Sequence, residues 1–120
     1  MYLYVELWNV TESWMKLSKD KRREFFDKME LGVKEIMDSG AEVTGWAMND
    51  EHTPYRSDYR YMAVWKLPSI NDVKKLEKAV ADSGWHTYFS QVNARGEMIP
   101  MPTVIQNLIN IEAHSTSLTE

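Results

Sequence analysis

Cysteine is absent from the 120 residues, which removes disulfides, thiolate metal sites and cysteine nucleophiles from consideration. Positive charge is not in excess either. Fourteen Lys and Arg against 18 Asp and Glu leave a net charge of −4, the wrong sign for a nucleic-acid or anionic-membrane partner. No apolar run approaches the roughly 20 residues needed to span a bilayer. The opening, Met1 to Trp8, lacks a basic n-region and carries Glu6 inside its apolar stretch, so it is not read as a signal peptide. A cytoplasmic location is expected. There is no glycine-rich phosphate loop, no nucleophile elbow and no zinc-binding His-Glu-x-x-His.

Large apolar side chains are what the chain has in quantity: five Trp, six Tyr and eight Met, more than a small single domain needs for one core. Residues 2–10 alternate as a strand, with Leu3, Val5 and Leu7 on one face and Tyr2, Tyr4 and Trp8 on the other, interrupted by Glu6. After a short connection holding Trp14 and Met15, Ser18 caps a helix reaching about Ser39. Its stripe is Phe25, Met29, Val33, Ile36 and Met37, and Gly40 ends it. Strands are expected at 41–49 and 59–67, joined by a long polar loop with Pro54. Ser69 then caps a second helix, striped by Ile70, Val73, Leu76 and Val80 and broken at Gly84. A short helical piece over 85–92, a loop around Gly96, Pro100 and Pro102, and a last strand over 104–111 complete the chain. Residues 1–111 are read as one domain and 112–120 as a mobile tail.

The order βαββαβ predicts an α+β, ferredoxin-like fold: an antiparallel four-stranded sheet with both helices on one face. Two helices cover one face only, yet the strands are apolar on both. The second face is expected to meet a second copy of the chain, with Tyr4, Glu6, Trp8, Trp46, Tyr61 and Trp65 pointing into a barrel between the two sheets. Tyr4 and Tyr61 would suit base stacking on single-stranded nucleic acid, but the third strand, Asp58 to Trp65, lacks the glycines of that pattern and Glu6 shares the face.

On this element order the chain resembles the dimeric α+β barrel superfamily. The block Gly84-Trp85-His86-Thr87-Tyr88-Phe89-Ser90-Gln91-Val92-Asn93-Ala94-Arg95-Gly96, with the opening Met1 to Trp8, is similar to a small bacterial family of such proteins without an established activity. The superfamily includes cofactor-free monooxygenases, lactone isomerases and haem-converting enzymes, so the resemblance implies a homodimer and a pocket between helices and sheet. Haem-degrading members carry an Asn in mid first strand, where this chain has Leu7, and no cofactor is expected. Without one, the implied chemistry is monooxygenase- or isomerase-like, on a small aromatic or lactone-like metabolite. The alternative is a non-catalytic module for ligand binding or assembly.

His86 is the candidate proton-transfer residue, since an imidazole titrates near neutrality. Trp85, Tyr88, Asn93 and Arg95 are the candidate ligand-binding residues, with Arg95 suited to a carboxylate or phenolate. Glu6 is weighed both as an acid or base and as a pairing device at a two-fold axis. Asp50, Glu51, His52 and Asp58 match no defined metal-binding loop, and no metal site is expected.

Overall fold

The computed structural model describes Met1–Ala113; residues 114–120, which hold most of the expected tail and His114, lie outside the described residues. Strand β1 (Tyr2–Val10) is followed by a one-turn helix α1 (Glu12–Met15) and the long helix α2 (Lys19–Asp38). Strands β2 (Glu42–Met48) and β3 (Tyr61–Leu67) form a hairpin. Then come α3 (Ile70–Asp82), the one-turn α4 (Trp85–Tyr88), β4 (Phe89–Glu97) and α5 (Met101–Asn110). The strands lie in the order β2-β3-β1-β4, every pair antiparallel, which is the ferredoxin-like arrangement.

Local chemistry starts and stops the helices as expected. Ser18 Oγ accepts from Lys21 N–H at 3.2 Å, and Ser69 Oγ accepts from Asp72 N–H at 3.3 Å while donating to its carboxylate. Gly40 closes α2 with φ +105°, where a Cβ would also meet Pro68 Cγ at 3.2 Å.

The last strand lies earlier than expected. Residues 104–111 do not pair in the sheet; Met101–Asn110 is helical, and β4 is Phe89–Glu97. The physical reasons are legible afterwards. Val104, Ile105, Leu108 and Ile109 recur at helical spacing, and Pro102 sits in the first turn, where a missing N–H costs nothing. In β4, by contrast, polar Gln91, Asn93 and Arg95 alternate with Val92, Ala94 and Gly96, a pattern poor in β-branched and aromatic residues.

Cross-strand partners share a face, so the register sorts the side chains. Tyr2, Tyr4, Glu6 and Trp8 of β1 pair with Leu67, Trp65, Ala63 and Tyr61 of β3. This face lies under the helices. Tyr4, Trp65 and Leu67 pack with Val73 and Leu76 of α3, while Trp8 and Ala63 pack with Trp14, Trp85 and Phe89. The expectation that Tyr4, Glu6, Trp8, Trp46, Tyr61 and Trp65 line the opposite, open face is therefore corrected. The wide aromatic side chains bridge the gap to the helices, and the flatter aliphatic row is left outside.

That open face carries Ala47, Met62, Leu7 and Val92 in one cross-strand row and Gly45, Val64, Val5 and Ala94 in the next. Leu3 and Val92 are exposed and Val5, Leu7, Met62 and Val64 half-buried. A second apolar surface is α5, which buries none of its residues. The stretch 98–111 that contains it has no charged residue.

Candidate functional site

Helix α2 lays Phe25, Met29, Val33 and Ile36 toward the sheet, but none of its residues is fully buried. It stands off the strands, and the space beneath it is a cavity of about 490 Å³. The floor is Glu6 and Trp8 of β1 with Trp65 of β3; Leu76, Ala79 and Val80 of α3 and Trp85 of α4 form one wall. Phe26 and Trp46 also line it, are 44% and 56% exposed, and so make its rim, together with the exposed Lys28 and Glu30.

Glu6 is the one buried charged side chain among the described residues. Its two oxygens have different donors. Trp65 Nε1–H donates to Oε1 at 2.6 Å, and Gln91 Nε2–H donates to Oε2 at 2.8 Å. Gln91 in turn accepts from Trp85 Nε1–H at 2.7 Å and donates to Asn93 Oδ1 at 2.7 Å. An indole N–H only donates, so Trp85 fixes which end of the Gln91 amide faces Glu6. The relay Trp85–Gln91–Glu6–Trp65 thus presents donors to the carboxyl group from both sides.

Burial pushes the Glu6 carboxyl above the usual carboxylate range, partly offset by the hydrogen bonds from Gln91 and Trp65 and by the charge of His86. A raised carboxyl pKa means the folded chain holds its proton to higher pH than the unfolded chain does. The contribution to stability is therefore full below the ordinary Glu range, near pH 4.3. It is lost as pH rises toward the raised value. Glu6→Gln is expected to remove that downward slope. Urea midpoints of both proteins measured from acid to neutral pH would show it, and parallel curves would contradict the assignment.

The other expected site residues are placed as follows. Trp85 lines the cavity. His86, about 100° further round the single turn of α4, is exposed and does not line it. Tyr88 packs edge-on against Trp14 and Phe25, at ring separations of 5.5 and 5.1 Å. Arg95 pairs with Glu77 at 2.8 Å, and Glu77 also accepts from the Tyr4 hydroxyl at 3.3 Å. Burial, and then the Glu77 charge, push that hydroxyl above its ordinary range. Asn93 belongs to the Gln91 network. Gln91, expected within a short helical piece over 85–92, instead takes the strand position directly opposite Trp8 and so reaches Glu6.

In the 49–58 loop, Asp50 accepts from the His52 backbone N–H at 2.9 Å, and Arg56 ties to the Asp50 and Asn49 carbonyls. Among the described residues no three His, Asp or Glu converge to hold a metal ion, and no helix is long and apolar enough to cross a membrane.

The fold is similar to that of the protein called "Putative Chlorite dismutase TA0507", with a TM-score of 0.62 at 12% identity over 89% of this chain. The chain spans 48% of the length of that protein. It is also similar to At3g17210 from Arabidopsis thaliana, with a TM-score of 0.58 at 11% identity, covering 84% of this chain and 98% of that one. Identities this low establish a shared fold and say nothing about chemistry. No curated protein matches the chain in sequence. Residues 1–111 match the model of a family of unknown function, DUF6616, and the chain belongs to that family.

Proposed function

We propose that the protein is a homodimeric small-ligand-binding barrel that takes a ring-bearing molecule into the cavity beneath α2. The observation that carries this reading is a single buried carboxyl group in a cavity of about 490 Å³ walled mostly by aromatic and aliphatic side chains, with Ser83 on the wall and the exposed Lys28 and Glu30 at the rim. That size falls within the range of small-molecule sites, and one fixed polar group in an apolar enclosure orients a ligand. The polar groups expected to do chemistry are committed elsewhere, His86 to solvent and Arg95 to Glu77.

Ala79 lines the cavity from α3, so Ala79→Phe fills it without removing a core side chain. Calorimetric titration with 1-naphthalenemethanol should detect binding to the wild type and at least about a tenfold loss in Ala79→Phe, a difference of about 1.4 kcal/mol. Equal binding by both would place the ligand elsewhere.

The raised pKa of Glu6 favours a second reading, a cofactor-independent enzyme with Glu6 as general acid or base on an aromatic or lactone-like metabolite. Under it, the protein should speed deuterium exchange at the acidic carbon of 2-tetralone, and Glu6→Gln should not. Binding without exchange in either protein leaves the binding reading.

The homodimer rests on the uncovered rows around Val5, Leu7, Met62 and Val64 and on the uncharged stretch 98–111. A continuous apolar sheet face of this kind is a surface for a partner. A second copy presents the same flat face and needs no other protein.

A further inference from the structure

We infer that the cavity ligand is a small organic cation, a ring-bearing ammonium whose nitrogen meets Glu6 and whose body lies among the tryptophans. This rests on the binding reading above and adds the charge of what is bound.

The first support is the state of Glu6. Both of its protein donors, Trp65 and Gln91, are neutral. Glu6 takes part in none of the ion pairs Lys21–Glu24, Arg23–Asp20, Lys78–Asp82 and Arg95–Glu77. A carboxylate oxygen accepts two hydrogen bonds, and each Glu6 oxygen has one protein donor. The carboxylate therefore borders the cavity with acceptor capacity left and no ion-pair partner in contact, the charge of His86 acting on it only from a distance. Because Trp85 holds the Gln91 amide in one orientation, Gln91 presents an N–H, and not a carbonyl, to the Glu6 carboxylate. Burying such a charge without a partner is costly, and a ligand cation supplies the partner.

The lining is a second and independent support. Four of the five tryptophans, Trp8, Trp46, Trp65 and Trp85, border this one cavity. Indole faces attract cations more strongly than other aromatic side chains do, most of all where water is excluded. The one cationic side chain on the lining, Lys28, is exposed at the rim. Carboxylate and indole faces together select positive charge and reject negative charge.

The test is a charge series on one ring: 1-naphthylmethylamine, 1-naphthalenemethanol and 1-naphthoate, titrated calorimetrically into the full chain at neutral pH. The amine should bind at least about tenfold more tightly than the alcohol, and the naphthoate should not bind. Glu6→Gln should shrink the amine's advantage over the alcohol severalfold, leaving only what the indoles contribute. Trp46→Leu, at a rim position that leaves the core intact, should weaken the amine more than the alcohol. If the alcohol binds as tightly as the amine and Ala79→Phe abolishes both, the charge assignment falls while the cavity reading stands. If no naphthyl probe binds, both fall. An amine preference undiminished by Glu6→Gln also overturns the inference.

Discussion

Val5→Asp is expected to turn the proposed homodimer into a well-folded monomer. Val5 lies in the middle of the open face, flanked across the strands by Val64 and Ala94, and contributes to neither core cluster. A carboxylate there would be buried twice in each dimer with no partner, at several kcal/mol per ion, so the dissociation constant should rise by at least about a thousandfold. Sedimentation velocity would show the loss of the dimer, and circular dichroism should show the same secondary structure. Tyr4→Asp makes the informative contrast. Tyr4 points the other way, into the packing of Trp65, Val73 and Leu76, so that variant should unfold rather than dissociate. A wild type that sediments as a monomer, or a Val5→Asp protein that remains dimeric, would refute the proposed assembly.

Trp65→Ala should be among the most damaging single changes in the chain. Trp65 is 3% exposed, packs against Tyr4 and Leu76, and supplies one of the two hydrogen bonds to Glu6. Truncating a buried Trp costs about 3–5 kcal/mol. Losing a hydrogen bond to a buried charged group adds about 1.5–3 kcal/mol. Together these approach the whole stability of a small domain, about 5–15 kcal/mol. Trp65→Phe reduces the first effect, since it keeps most of the packing while removing the indole N–H. Urea unfolding should rank wild type above Trp65→Phe and Trp65→Phe well above Trp65→Ala. A loss below about 1 kcal/mol in Trp65→Ala would show that the indole is not part of a tight core.

Much of the scaffold was legible in the chain before its structure. Alternation in residues 2–10, the caps at Ser18 and Ser69 and the stops at Gly40 and Gly84 each report a local preference, and local preferences survive folding. The observed strand order also follows from two right-handed crossovers. The choice of face was less accessible. Alternation shows that β1 is apolar on both sides, but which side meets the helices depends on contacts far away in sequence. The final strand failed for a different reason. Its residues pair with β1 through backbone groups any sequence can offer, while their side chains give a weak strand signal. The candidate site inherited that error. With Gln91 expected in a helix, its approach to Glu6, 85 residues away, does not follow from the sequence.

The crowding of indoles also has an optical consequence. Trp8 lies 5.2 Å from Trp46 and 5.6 Å from Trp85, close enough for absorbed light to migrate between the rings before it is emitted. A guest that wedges between them, or that screens the Glu6 carboxylate beside Trp65, would alter the colour and lifetime of that shared emission. The protein would thus signal occupancy of its own interior without an added dye.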